Sequence, residues 1–173
     1  MKVVLIFDQG LAGAGGKTNP HQGLALEKGG VGSAFMLKPH FEKIGANIVA
    51  TLYCGNEFFL ENKEEVVKKM ALMVKKINPD IVLCGPCFDF KDYALMSAMI
   101  TKEITDTSDI VALAMMSKEN EEVINEYRDK ITILKMPKKG GTGLSDSFED
   151  LSDWMLKKSK NEDMSEIEKE IRF

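Results

Sequence analysis

The chain has 173 residues, 44% of them hydrophobic and 29% charged, a length and composition suited to one soluble globular domain. Its 23 basic and 27 acidic residues leave a net charge of −4, which argues against a nucleic-acid binder. No apolar run approaches the ~18 residues of a membrane span, and three cysteines are too few and too odd in number for a disulfide scaffold.

Val3–Phe7 is a short apolar strand, as expected for a parallel sheet buried on both faces. It is too short for a signal peptide and shows no cleavage site. The expectation is a cytoplasmic protein with reduced thiols. Residues 10–32 follow, holding glycines 10, 13, 15, 16, 23, 29, 30 and 32. Glycine at this density disfavours helix and strand alike, and a loop of this length in a compact domain is usually functional or disordered. Ser33–Ile44 reads as a helix with Ser33 as N-cap, although Pro39 points to a late start or a kink. Asn47–Tyr53 is the second strand, ending at Cys54-Gly55. Glu64–Ile77 is an amphipathic helix with an apolar stripe of Val67, Met70, Ala71, Val74 and Ile77.

Ile81–Leu83 is the third strand and runs into Cys84-Gly85-Pro86-Cys87. A helix over Tyr93–Ile104, a strand over Asp109–Met115, a short polar helix over Lys118–Tyr127 and a fifth strand over Ile131–Lys135 follow. Met136–Gly143 is a second glycine-rich loop ahead of a helix reaching Lys158. The charged tail from about Ser159 carries Met164, Ile167 and Ile171 as a narrow apolar stripe. Five alternations of strand and helix predict a single α/β domain over residues 1–173. It is a three-layer sandwich around a mostly parallel five-stranded sheet, flavodoxin-like or Rossmann-like.

In such sheets ligands bind at the carboxyl ends of the strands, where four unusual loops gather. Cys84-Gly-Pro-Cys87 has the spacing of a redox-active dithiol, with Cys84 as attacker and Cys87 as resolving thiol. The alternative is two small buried residues at a strand-to-helix turn. Cys54 is either a third thiol or a buried hydrophobe. The thioredoxin context is missing, since no tryptophan precedes Cys84. Zinc is not expected, because a structural site wants four ligands and only Cys54, His21 and His40 remain.

Gly13, Gly15, Gly16 and Lys17 suggest a phosphate loop, but Leu11 stands where glycine is required and Asn19-Pro20 replace the helix start. A looser carboxylate or phosphate site stays open there, as at Gly55-Asn56. Lys138, Lys139, Gly140, Gly141 and Thr142 before a helix form a further anion site, or else a solvated glycine turn. Asp89, Asp92, Glu57 and Glu61 are available for acid–base work, with Asp89 or Asp92 more simply a helix cap. No cofactor is expected, G-x-G-x-x-G being absent.

The order of these pieces resembles one family. Ala-Gly-Ala-Gly-Gly at residues 12–16 precedes Gly30-Val-Gly32. Ala50-Thr-Leu-Tyr-Cys-Gly55 follows, with Phe58, Phe59 and Asn62 behind it, then Asn78-Pro-Asp-Ile-Val82 and Cys84-Gly-Pro-Cys-Phe88. Over roughly residues 1–145 this is similar to the N-terminal region of the selenoprotein B subunit of glycine, sarcosine and betaine reductases. The resemblance implies a place in a multi-subunit complex of anaerobes that reductively cleaves the amine from a small amino acid. The family's selenocysteine lies beyond the matched region and has no position here. Small non-thiol residues flank the Gly-Pro in that family, where this chain has Cys84 and Cys87. The expectation is therefore a thiol-based oxidoreductase related to component B, acting on a small amino-acid-like or anionic substrate. The alternative is a non-catalytic ligand-binding or scaffolding subunit. Other reductase subunits are the implied partners, and a homo-oligomer is the default assembly.

Overall fold

A computed structural model describes residues 1–173. Six strands form one sheet in the order β2-β3-β1-β4-β5-β6. They are β1 (Lys2–Asp8), β2 (Ala25–Lys28), β3 (Asn47–Cys54), β4 (Ile81–Cys87), β5 (Val111–Ser117) and β6 (Ile133–Met136). All neighbours run parallel except β2, which pairs antiparallel to the edge of β3. Without β2 the order is the flavodoxin-like one.

The sheet thus has six strands rather than five. The extra strand lies inside the glycine-rich stretch that sequence alone reads as irregular. Ala25–Lys28 offers only Leu26 as a large apolar residue, and its register comes from β3. Thr51 Oγ1 donates to the Gly29 carbonyl at 2.8 Å and secures its end.

Alternation along the parallel strands feeds two cores. Val3, Leu5, Phe7, Leu83 and Met115 face one side, where α1 (Lys38–Lys43), α6 (Leu144–Ser159) and α7 (Ser165–Ile171) bury Phe41, Leu151, Trp154 and Ile171. Val4, Ile6, Cys84 and Ala114 face the other, covered by α2 (Asn56–Glu61), α3 (Lys63–Ile77), α4 (Lys91–Thr107) and α5 (Glu121–Tyr127). The charged tail docks through its apolar stripe: Met164 and Ile167 pack beside buried Ile171. Trp154 Nε1 donates to Glu168 at 3.0 Å, and the Phe173 amide donates to Ile133 on the β6 edge at 3.0 Å.

Local deviations have local causes. Ser33 caps nothing, because it sits inside a 3-10 turn over Gly32–Met36, and α1 starts late with Pro39 in its first turn. Neither Asp89 nor Asp92 caps α4, whose N-cap position is Phe90. α2 was not expected, being a helix of only six residues between Gly55 and Asn62. No helix is long and apolar enough to cross a membrane.

Candidate functional site

The chain leaves β1 toward β2 and β3 on one side and returns to β4 on the other. At that reversal the loops after β1 and β4 diverge and leave a crevice. A cavity of about 180 Å³ opens there. Asp8, Gly10 and Leu11 form one wall, Pro86 and Phe88 the opposite wall, and Phe90 and Tyr93 the side toward α4. A larger hollow of about 290 Å³ lies beneath α1, lined by Phe35, Phe41 and the start of β3, away from the strands' carboxyl ends.

Beside the crevice lies a buried polar cluster of Asp8, Gln9 and Asn56, each under 7% exposed. Asn56 Nδ2 donates to Asp8 Oδ2 at 3.2 Å and to Gln9 Oε1 at 3.0 Å, while the Asn56 amide also donates to Gln9 Oε1 at 3.1 Å. Asp8 Oδ1 accepts the Leu11 amide at 2.8 Å. Asn56 Oδ1 is buried with no partner. Asp8 takes part in none of the protein's ion pairs.

The glycine-rich loop closes onto this cluster from above. The Pro20 carbonyl accepts the amides of Glu57 and Phe58 at 2.9 and 3.2 Å, and the Gly55 amide donates to Gln22 at 2.7 Å. A Cβ on Gly55 would stand 2.0 Å from the Pro20 oxygen, so only glycine permits this approach. With the Asn56 amide on Gln9, the donors at the start of α2 are spent inside the protein. The turn at Gly55-Asn56, expected to bind an anion, instead carries backbone-to-loop contacts.

The Cys-Gly-Pro-Cys segment is not in a loop. It forms the last four residues of β4, and both thiols are 0% exposed. Ladder pairing jumps from Cys84–Ala114 to Cys87–Met116, so Gly85 and Pro86 form a bulge against β5. Three residues on, an ordinary strand would turn Cys87 to the opposite face; the bulge returns it to the face of Cys84. Gly85 has φ +140°, and a Cβ there would lie 2.7 Å from the Met115 oxygen. The Gly85–Pro86 peptide is cis.

Both sulfurs lie under α4, Cys87 Sγ 3.1 Å from Ser97 Oγ and Cys84 against Thr101. Burial pushes the Cys84 thiol up to about 12, with Thr101 opposing, and raises Cys87 further. Cys54, 3.5 Å from Met96 Sδ, is also pushed up to about 12, by burial first and the charge of Asp8 second. All three are free thiols. The low-pKa, accessible thiolate that a reactive cysteine needs is not what this environment favours.

The remaining expected residues disperse. Gly13, Gly15, Gly16 and Lys17 lie in the loop after β1, stapled by Gln9 Nε2 on the Gly16 carbonyl at 3.2 Å and by Asn19 Nδ2 on Ala14 at 2.7 Å. Lys138, Lys139, Gly140, Gly141 and Thr142 are exposed at the end of β6, two strands from β4 and so roughly 10 Å across the sheet. There the Lys139 amide donates to Glu119 at 3.0 Å, a carboxylate already occupying the supposed anion turn. His21 pairs with Glu61 at 3.6 Å on the surface. No cluster of three metal-ligating side chains occurs.

Sequence reasoning missed Asp8, Gln9, Phe88, Phe90, Tyr93 and Asn120. The usable signal was Asp8-Gln9 itself, two polar residues directly after an apolar first strand. Asn120 is buried, and its Nδ2 reaches the carbonyls of Cys87 and Phe88 at 3.2 and 2.8 Å, fixing the wall of the crevice.

A family model described as "Glycine/sarcosine/betaine reductase selenoprotein B (GRDB)" matches residues 1–173, beyond the 145 that sequence motifs suggested. Among curated proteins, the chain is 28% identical over 169 residues to the glycine reductase complex component B subunit gamma of Carboxydothermus hydrogenoformans, covering 98% of this chain and 38% of that protein. It is also 28% identical over 162 residues to the sarcosine reductase complex component B subunit beta of Peptoclostridium acidaminophilum, covering 94% of this chain and 36% of that protein. A 75-residue stretch is 39% identical to the glycine reductase subunit gamma of the same organism. The chain therefore spans little more than a third of the length of the first two relatives, and the 75-residue match covers 43% of this chain and 17% of the third.

Proposed function

The chain belongs to the glycine/sarcosine/betaine reductase selenoprotein B family, and from that premise we propose that it is a small-ligand-binding module of a component-B-type reductase assembly, its ligand seated in the crevice between β1 and β4. The observation that carries this reading is the cavity at the reversal of strand order, bordered by a buried polar cluster and walled by aromatic residues. Sites in open α/β sheets form at that place, and concave apolar walls with few polar groups are the usual make-up of small-molecule sites. The names of the relatives supply the candidates: glycine, sarcosine and betaine, each an amino acid of a few heavy atoms.

A thiol oxidoreductase is the second reading. One observation favours it: the bulge sets Cys84 and Cys87 on one face of β4, where a disulfide would need two electrons and two protons to leave. Their burial weighs against it, because a disulfide partner must first open α4 away from the sheet.

Amide NMR spectra titrated with glycine, sarcosine and betaine test the first reading. Saturable shifts centred on Gly10, Leu11, Phe88 and Phe90 are expected from at least one of them. Shifts confined to the Lys138–Thr142 loop, or none with any of the three, would overturn it.

A further inference from the structure

We propose that the crevice is a cation subsite, in which Asp8 and the aromatic walls Phe88, Phe90 and Tyr93 hold a small organic ammonium group. This rests on the crevice being the ligand site, and it reverses the polarity that the glycine and lysine loops suggest.

Three observations lead there. First, Asp8 is 6% exposed and is satisfied only by neutral donors, the Leu11 amide and Asn56 Nδ2. No lysine, arginine or histidine pairs with it. Buried charges are normally paired, since removal from water is otherwise costly. Second, the neighbouring cluster has acceptors to spare. Asn56 Oδ1 is a buried acceptor without a partner, on a side chain already bonded to Asp8. Its amide orientation is fixed, because flipping it would set oxygen against both Asp8 Oδ2 and Gln9 Oε1. The cluster therefore contains no positive charge and holds one buried acceptor more than its own donors satisfy.

Third, the cavity beside Asp8 is walled by two phenylalanines and a tyrosine. Aromatic rings attract ammonium groups that have shed water, and a space of about 180 Å³ admits only a small one. A metal ion fits less well, since no three ligating side chains converge. An anion would face the Asp8 carboxylate with no basic side chain among the walls.

The test uses the whole chain and amide NMR, with methylammonium, tetramethylammonium, acetate and potassium chloride as separate probes. Both ammonium probes are expected to shift Gly10, Phe88 and Phe90 saturably, and acetate and potassium to leave them unmoved. Asp8→Asn should weaken ammonium binding at least about tenfold, a lost charge-assisted contact being worth that much. Because Asp8→Asn disturbs a buried cluster, Phe90→Ala provides a second arm. Phe90 is 42% exposed, so its removal spares the core, and tetramethylammonium should bind that variant several-fold more weakly. If acetate shifts the crevice and ammonium does not, the ligand site stands and the cation inference falls. Equal response to potassium also overturns it, assigning an inorganic ion instead. If both ammonium probes leave the crevice silent the cation inference falls, and if glycine, sarcosine and betaine are silent there too the underlying functional reading falls with it.

Discussion

The thiols decide between binding module and redox enzyme, and their labelling rate can be worked out from their surroundings. Alkylation requires thiolate and access. Cys54 and Cys84 are raised from 9.0 to about 12, which lowers the thiolate fraction at pH 7 from about 10⁻² to about 10⁻⁵. All three sulfurs are 0% exposed, so the native state offers no direct line of attack. Labelling must pass through opening, and for cores of marginally stable domains global opening costs about 5–15 kcal/mol. The combined expectation is native labelling at least about a thousandfold slower than in concentrated guanidinium. Iodoacetamide pulses with intact-mass readout check this. Under denaturant three adducts should form together; natively the unmodified mass should persist. If Cys84 or Cys87 reacts natively within about tenfold of the unfolded rate, α4 does not seal β4. The burial argument then fails, and the redox reading takes precedence.

The same thiols give a pH prediction. Their native pKa values lie above the unfolded ones, so the folded state holds protons that the unfolded state gives up. Their contribution is complete below about pH 9 and is lost as pH rises from about 9 toward 12, by up to about 1.4 kcal/mol per pH unit for each thiol; urea midpoints across alkaline pH should show the decline, and a Cys54→Ala variant should lose that one thiol's share of it. Tyr93→Phe removes the hydroxyl that donates to the Ile6 carbonyl at 2.8 Å, and a loss of about 1–3 kcal/mol in urea unfolding is expected, with no loss if that carbonyl is otherwise satisfied. Gly55→Ala drives a Cβ into the Pro20 carbonyl; hydrogen exchange should show lost protection at Glu57 and Phe58, and unchanged protection there would refute the docking of the glycine loop.

Much of the architecture was legible because periodicity reports burial. Val3–Phe7 and Ile81–Leu83 are continuous apolar runs, and both are central strands flanked on each face by helices. The stripe of α3 holds, with Val67, Met70, Ala71 and Val74 buried and Ile77 partly buried at its end. What sequence could not show was set by neighbours. β2 exists because β3 offers it an edge, not because Ala-Leu-Glu-Lys prefers extension. The site suffered most. Glycines and lysines drew attention as anion binders, yet the amides at the start of α2 close on Pro20 and Gln9, and the lysine loop lies two strands away from β4. Asp8 and Tyr93 gave weaker local signals. Their place in the crevice follows from strand order, which sets the ends of β1 and β4 together and which no local pattern encodes.

One motif therefore serves two purposes that must be separated before mutants are interpreted. The bulge at Gly85-Pro86 turns both thiols into the core and, by the same displacement, makes Pro86 a wall of the crevice. Asn120 then fixes the following carbonyls. A Cys84→Ser, Cys87→Ser variant puts two hydroxyls where sulfur packs beneath Ser97 and Thr101, and so disturbs α4 and the Tyr93 side of the cavity together. Full activity in that variant would exclude thiol redox chemistry. Lost activity would not establish it, because a displaced crevice wall produces the same loss. Cys84→Ala and Cys87→Ala, which are smaller and apolar, resolve the two. A redox role predicts that each single change abolishes turnover. A packing role predicts graded destabilisation of a few kcal/mol or less, with ligand shifts at Gly10 and Phe90 retained wherever the protein remains folded.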